Sequence, residues 1–306
     1  MKIAFLGTPD FAVPSLKMLH SLGHELALFT QPDRPVGRKA VLTPPAAKAA
    51  ALELGIPVYQ FERIKAPEGV AALQDFAPDL MVTAAFGQLL SQENLEIPKH
   101  GCINVHGSLL PRYRGAAPIQ WAIVNGEPVT GITTMMTDIG MDTGDILLKA
   151  ETPILPDETY GELSERLSHL GAELLKTTLE QLENGTLPRE KQNEAEATKC
   201  AMLKKEDGRL SYASAQALHN RVRGFNPWPI AYGILEEAPV KIYRTRMTDV
   251  APEGAPGTLF GSEKQGLFLS CGDGAVEILE IQAPGGKRLD GKTFLRGSRA
   301  AGKQLT

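Results

Sequence analysis

Through its first 185 residues the chain alternates short apolar runs with longer stretches of helical spacing. No other feature restricts the fold as much. Residues 3–6 predict an apolar strand, ending at Gly7-Thr8-Pro9-Asp10, and Asp10 is placed to cap a helix that runs to Leu22 and stops at Gly23. Residues 26–30 predict a second strand. Pro44-Pro45 opens an alanine-rich helix that ends near Gly55, followed by Pro57-Val58-Tyr59. Residues 69–76 predict a short helix, 80–85 a strand apolar on both faces, and 102–105 another strand. Strands apolar on both sides and separated by helices predict a mostly parallel sheet covered on both faces. Ligands of such sheets bind beyond the carboxyl ends of the strands.

The second half changes character. Residues 159–182 place Leu163, Leu167, Leu170, Leu174, Leu175 and Leu182 at helical spacing with charges between, the pattern of a helix packed on a core. Gly185 and Pro188 end it. Residues 188–205 are polar, charged and aperiodic, which suits a linker. Residues 213–222 predict a helix. Short β-like pieces follow at 240–243, 258–260, 266–269 and 276–281, punctuated by Gly and Pro, and that spacing suggests a small barrel. The expected division is a first domain over 1–187, a linker over 188–205 and a second domain over 206–306.

Composition removes several classes of function. The net charge is −4, with residues 206–306 slightly basic (13 Lys/Arg against 11 Asp/Glu) and residues 1–205 acidic (19 against 25), so the whole chain does not advertise a polyanion-binding protein. Cys102, Cys200 and Cys271 are odd in number and far apart, against a disulfide framework or a cysteine zinc site. His20 and His24 lack acidic or cysteine partners of motif type, so no metal is expected. The N-terminus begins directly in a strand and no apolar stretch reaches membrane-spanning length, so the chain reads as cytoplasmic. Gly7-Thr8-Pro9-Asp10 is not a dinucleotide fingerprint, which disfavours a nicotinamide enzyme.

The residues that promise chemistry lie at the end of the run Gly-Cys-Ile-Asn-Val-His-Gly-Ser-Leu-Leu-Pro, residues 101–111. Asn104 and His106 are two apart on a strand and therefore share a face. Asp142 lies in the turn sequence Met-Asp-Thr-Gly-Asp, residues 141–145, and could bring a carboxylate to the same place. An amide donor, a ring that handles protons and a carboxylate suit transfer of an acyl group to an amine. A fixed donor beside the carbonyl oxygen lowers that barrier by about 3 kcal/mol. His106 can donate a hydrogen bond or move the proton, and Asp142 can tune it or accept the ammonium proton. Taken singly, His106 also reads as a structural histidine and Asp142 as turn chemistry. The triple pattern is what favours a site.

Asn104-x-His106-x-Ser-Leu-Leu-Pro, then Arg-Gly-Ala-Ala-Pro-Ile-Gln at 114–120 and Met-Asp-Thr-Gly-Asp at 141–145, resembles the folate-dependent formyltransferases. The resemblance runs from Gly-Thr-Pro-Asp-Phe-Ala (7–12) to Phe-Asn-Pro-Trp-Pro (225–229) and Pro-Gly-Thr (256–258). It implies an α/β enzyme with a Rossmann-like, mostly parallel sheet in the catalytic domain and a C-terminal small β-barrel of oligonucleotide-binding type. It implies Asn104, His106 and Asp142 as the catalytic trio, and Ser108, Leu109, Leu110 and Pro111 as the segment holding the donor, 10-formyltetrahydrofolate. The loop 31–43, with Gln-Pro-Asp-Arg-Pro-x-Gly-Arg at 31–38, resembles that of the members whose acceptor is initiator methionyl-tRNA. Arg34, Arg38 and Lys39 are then the expected tRNA contacts, in a monomer that needs neither metal nor membrane. Arg221, Arg223, Lys241, Arg244, Arg246, Lys287, Arg288, Lys292, Arg296 and Arg299 could line a phosphate-tracking face. Trp228, between prolines, reads as a packing anchor. A sugar-nucleotide amine formyltransferase, a formyl-folate hydrolase and a non-catalytic tRNA-binding protein remain open alternatives; the basic loop 31–43 argues against the first two and the intact trio against the third.

Overall fold

The computed structural model describes every residue of 1–306 except Arg38 and Arg299. Two compact units emerge: Met1–Gly115, Thr130–Thr152 and Ser164–Lys199 make the first, and Ala116–Val129, Pro153–Leu163 and Cys200–Thr306 the second. Neither is one continuous stretch of sequence.

In chain order the first half contains β1 (Lys2–Gly7), α1 (Val13–Ser21), β2 (Glu25–Thr30), β3 (Arg34–Val36), β4 (Val41–Thr43), α2 (Ala46–Glu53), β5 (Val58–Gln60), α3 (Pro67–Phe76), β6 (Leu80–Ala84), α4 (Gln92–Glu96), β7 (Cys102–His106), β8 (Arg114–Gly115), α5 (Pro118–Val124), β9 (Val129–Met136), β10 (Ile146–Pro153) and α6 (Tyr160–Glu183). The main sheet has the order β10-β9-β7-β6-β1-β2-β5. β1 pairs in parallel with β2 and β6, β6 with β7 and β2 with β5, whereas β9 joins β7 antiparallel. The central strands are buried on both faces, as their unbroken apolar sequence requires: Ile3, Phe5, Leu28 and Val82 on one face and Ala4, Leu6, Ala27 and Met81 on the other are inaccessible to solvent.

Three local outcomes depart from the sequence reading. Asp10 does not cap α1 but opens a 3-10 turn ahead of it. The loop 31–43 folds back as a hairpin, β3 against β4 in antiparallel register. β9 and β10 were not expected as strands. In β9 the buried threonines Thr133 and Thr134 satisfy their hydroxyls internally, Thr133 donating to Ser108 O at 2.7 Å and Thr134 meeting Thr178 of α6 at 2.9 Å. β10 alternates buried and open positions after its first pair, the mark of a sheet edge. α6 crosses β7 closely at Gly171, where a Cβ would stand 2.9 Å from Val105 Cγ1. The strand that carries Asn104 and His106 is thus backed by a helix with no room to shift.

The second unit follows β11 (Lys199–Cys200). α7 (Ala215–Gly224) packs on an antiparallel sheet of β12 (Ala231–Leu235), β13 (Ala238–Thr248), β14 (Leu259–Ser262), β15 (Gly266–Cys271), β16 (Gly274–Gln282) and β17 (Leu289–Asp290), with α8 (Gly291–Ser298) after it. The order is β12-β13-β16-β15-β14, and β17 pairs with β16. Residues 302–306 bridge the two ends of that order. Leu305 N–H donates to Gly257 O and Leu259 N–H to Lys303 O, while Thr306 and Ile234 exchange both main-chain bonds. The sheet thereby closes on itself around Leu218, Val222, Ile242, Leu259, Leu267 and Phe294. α5 belongs here because Trp121 packs edge-on against Phe225 beside Ala117 and Leu203. Trp228 is half exposed, so the anchoring aromatic is Trp121, not Trp228.

Candidate active site

The carboxyl end of β7 supplies the first two groups. Asn104 is half-buried, and its Oδ1 accepts from Thr83 Oγ1 of β6 at 2.9 Å. That bond orients the amide, so that Nδ2 points to Asp142 Oδ1 at 3.4 Å. His106 is 6% exposed, with Nε2 3.0 Å from Tyr113 O. A carbonyl only accepts, so Nε2 carries hydrogen. Nδ1 is left facing Asp142 Oδ2 at 3.8 Å. In the neutral ring this sets a lone pair against a carboxylate; a proton on Nδ1 turns the contact into an ion pair. Of the two ring nitrogens, Nδ1 is therefore the one that faces the carboxylate.

The three side chains named from sequence do converge. Asp142 comes from the loop between β9 and β10 and holds a left-handed backbone, φ 54°, at a cost of about 1 kcal/mol for a non-glycine residue. Its carboxylate accepts the Gly115 N–H at 2.8 Å through Oδ2. Gly144 makes the turn possible, since a Cβ there would stand 1.8 Å from Met136 O.

Residues 188–199, which read as linker in sequence, are hydrogen-bonded along this loop. Ile146 and Glu190 exchange main-chain bonds at 2.8 and 2.9 Å. Gln192 Nε2 donates to Asp142 O and to Gly144 O, both at 2.8 Å. Its Oε1 accepts from Arg114 Nε at 2.9 Å, and Arg114 grips Glu194 with both terminal nitrogens at 3.0 and 2.8 Å. Arg114 is 2% exposed, and a fork held on two sides is the strongest hydrogen-bonding geometry a buried guanidinium can adopt. The same fork keeps the Glu194 carboxyl below its ordinary range. Thr198 accepts from Tyr113 N–H through Oγ1 at 2.8 Å and from Arg114 N–H through its carbonyl at 2.9 Å. Sequence reasoning missed Thr83, Gln192 and Thr198. No short-range pattern marks a bond between residues 50 apart.

The remaining expected residues divide. Ser108, Leu110 and Pro111 turn inward: Ser108 Oγ donates to Arg112 O at 2.7 Å, and Leu110 packs with Met135 and Ile146. Only Leu109 is half open, so this segment can offer a ligand main-chain atoms and one side chain. Exposed apolar groups stand in the neighbouring loops instead, at Leu89, Ile139 and Met141. In the hairpin, Arg34 pairs with Glu62 at 2.6 Å and Lys39 is exposed, while Arg38 lies outside the described residues. Its root is fixed by Lys48, which donates to Asp33 at 2.8 and 2.9 Å and to Gln60 at 2.9 Å. Val36, Val41 and Leu42 are exposed on it.

Most arginines of the expected phosphate-tracking face are already engaged. Arg244 pairs with Glu162 and Glu280, Arg246 with Glu277, Arg288 with Glu280 and Arg296 with Glu263. Arg223 is buried on Asn220, and Arg221 donates to Asp207 O. Lys241, Lys287 and Lys292 are exposed, and Arg299 lies outside the described residues. Burial pushes the Cys102 thiol up to about 12 and the Cys271 thiol to about 11, which removes both as nucleophiles. Among the described residues no three metal-ligating side chains come together.

Residues 1–179 match the formyl transferase family and residues 202–299 its C-terminal domain. The chain belongs to the formyl transferase family. Within that family it is 51% identical over 302 residues to the methionyl-tRNA formyltransferase of Geobacter metallireducens, covering 98% of this chain and 96% of that one. It is 47% identical over 303 residues to the methionyl-tRNA formyltransferase of Ruminiclostridium cellulolyticum, with 98% and 97% covered. The formyl transferase fold is also that of WlaRD, a sugar 3N-formyl transferase solved with dTDP and 5-N-formyl-THF (TM-score 0.68, 19% identity, 94% of this chain and 98% of that chain). HypX from Aquifex aeolicus, solved with tetrahydrofolic acid, matches with a TM-score of 0.67 at 17% identity over 96% of this chain and 47% of its own.

Proposed function

We propose that this formyl transferase moves the formyl group of 10-formyltetrahydrofolate to the α-amine of methionine esterified to initiator tRNA. The observation that carries the reading is the Asn104–His106–Asp142 cluster, in a chain about half identical over nearly its whole length to methionyl-tRNA formyltransferases. The amine nitrogen attacks the formyl carbon, and the bond from that carbon to the folate nitrogen breaks as a tetrahedral oxyanion collapses. Asn104 Nδ2 and a protonated His106 Nδ1 donate to the oxyanion, where charge is greatest in the transition state. Asp142 holds the imidazolium and takes up the amine proton, directly or through water, and a proton returns by the same route to the folate nitrogen as it departs. Leu89, Ile139 and Met141 give a flat heterocycle an apolar rim, and the main chain of 108–111 its polar contacts. The hairpin around Arg34, Arg38 and Lys39 meets the acceptor end of the tRNA.

The test is an acceptor panel. Purified protein with 10-formyltetrahydrofolate is given initiator methionyl-tRNA, a dTDP-amino sugar or water alone, and the formylated product is followed. Methionyl-tRNA should react faster than either alternative by about three orders of magnitude, the size of a transferred-group acceptor effect that draws on positioning. Comparable rates with the amino sugar would replace the proposed acceptor. Arg38→Ala should lower kcat/KM for methionyl-tRNA by about tenfold, one lost phosphate or base contact, and leave donor hydrolysis unchanged; equal loss of both would remove Arg38 from acceptor binding.

A further inference from the structure

We propose that Gln192 is a positioning residue for the reaction, and that the strap 190–198 holds both partners of the His106–Asp142 pair in register. The inference rests on the catalytic reading above and adds to it a residue that touches none of the reacting atoms.

The geometry is two-sided. On one side Gln192 Nε2 spends both its hydrogens on Asp142 O and Gly144 O, pinning a loop whose key residue holds a left-handed backbone that relaxes if unrestrained. On the other side Thr198 takes the Tyr113 N–H, and the Tyr113 carbonyl sets which ring nitrogen of His106 carries hydrogen. Tyr113 is itself left-handed, φ 59°. Arg114 joins the two sides: it orients the Gln192 amide, and the next residue's N–H binds the Asp142 carboxylate. The Asp142 Oδ2 to His106 Nδ1 separation of 3.8 Å is thus set by bonds from the strap rather than by direct contact. An ion pair held at this distance loses its alignment with the reacting atoms on displacements of about 1 Å, which cost about a hundredfold in rate.

Gln192→Met keeps length and volume and removes all three bonds. It should lower kcat by about a hundredfold while KM for donor and acceptor stays within about twofold, because the three bonds of Gln192 go to the Asp142 loop and Arg114. The deciding measurement is a double-mutant cycle with Asp142→Asn, which retains the carbonyl that Gln192 binds. If Gln192 acts through the Asp142 carboxylate, Gln192→Met lowers the residual kcat of that background by less than about threefold. A loss as large as in wild type shows a merely structural role and overturns the proposal. So does an unchanged kcat in folded Gln192→Met. Should that variant not fold, Glu194→Ala, at an exposed carboxylate that steadies Arg114, is read in its place: a kcat drop of at least about threefold at constant KM supports the proposal, and none overturns it. Formate release with water as acceptor reads the same split, so a protein that fails to formylate methionyl-tRNA still tests Gln192.

Discussion

In the proposed mechanism the Asp142 carboxylate is the group on which the chemistry is most exposed to a single atom's change. Asp142→Asn keeps the shape, the Gly115 N–H acceptor and the main-chain carbonyl held by Gln192. It removes the charge that faces His106 Nδ1. Turnover should fall by about 10²- to 10⁴-fold, the range for a lost acid–base group, with the melting temperature within a few degrees of wild type; near-native turnover would take Asp142 out of the mechanism. Thr83 presents the complementary case. Thr83→Val deletes the hydroxyl that fixes the Asn104 amide, leaving Nδ2 free to turn from its aim. We expect kcat to fall about tenfold, less than for outright loss of an oxyanion donor, with Thr83→Ser restoring it. A valine variant as fast as wild type would show that Asp142 alone orients Asn104. The two positions differ in how they could be read. Asn104 and His106 declare themselves by strand periodicity, whereas Thr83 is an ordinary strand threonine until register places it against Asn104.

At the scale of elements, legibility followed the periodic signal. β1, β2, β6 and β7 are short apolar runs and were readable as such. β9 hides behind buried threonines whose hydroxyls are satisfied across the sheet and on α6, and β10 is an edge strand with open positions between buried ones. The strap 190–198 has no hydrophobic period because it is held by hydrogen bonds rather than by apolar burial. α7 yields a prediction of the same kind. Its His219 is 2% exposed and clamped between Thr245 Oγ1 at 2.9 Å and Pro156 O at 3.0 Å. Burial lowers its pKa from the ordinary 6.5, only partly opposed by the Pro156 carbonyl. Below 6.5 the unfolded chain therefore takes up a proton that the folded ring refuses, so stability rises with pH through this window and is lost on acidification, by at most about 1.4 kcal/mol per pH unit. Melting curves between pH 7.5 and 5.5 should be steeper in pH for wild type than for His219→Gln. Identical slopes would mean that the buried ring charges freely in the folded state.

With tRNA as the proposed acceptor, the whole molecule would bind a polyanion while carrying a net charge of −4, and the structure narrows how it would do so. Arg244, Arg246, Arg288 and Arg296 are each paired with a carboxylate, so their charges are locally cancelled and releasing them to phosphate would leave a glutamate behind. Arg34 is likewise held by Glu62. The exposed cations left among the described residues of the expected set are Lys39, Lys241, Lys287 and Lys292. Each phosphate neutralised displaces about 0.7 to 0.9 counterions, so these four lysines together with Arg38 and Arg299 give a log–log slope of tRNA affinity against salt no steeper than about −5. Recognition must then draw on contacts that salt does not screen, and the exposed Val36, Val41 and Leu42 of the rooted hairpin are the apolar groups placed to supply them. Titrating initiator methionyl-tRNA at several salt concentrations decides the matter. A slope steeper than about −7 would require the paired arginines to leave their carboxylates and engage the backbone. In that case Glu277→Gln, which frees Arg246, should tighten binding; with a shallow slope it should leave affinity unchanged, since Arg246 then faces no phosphate.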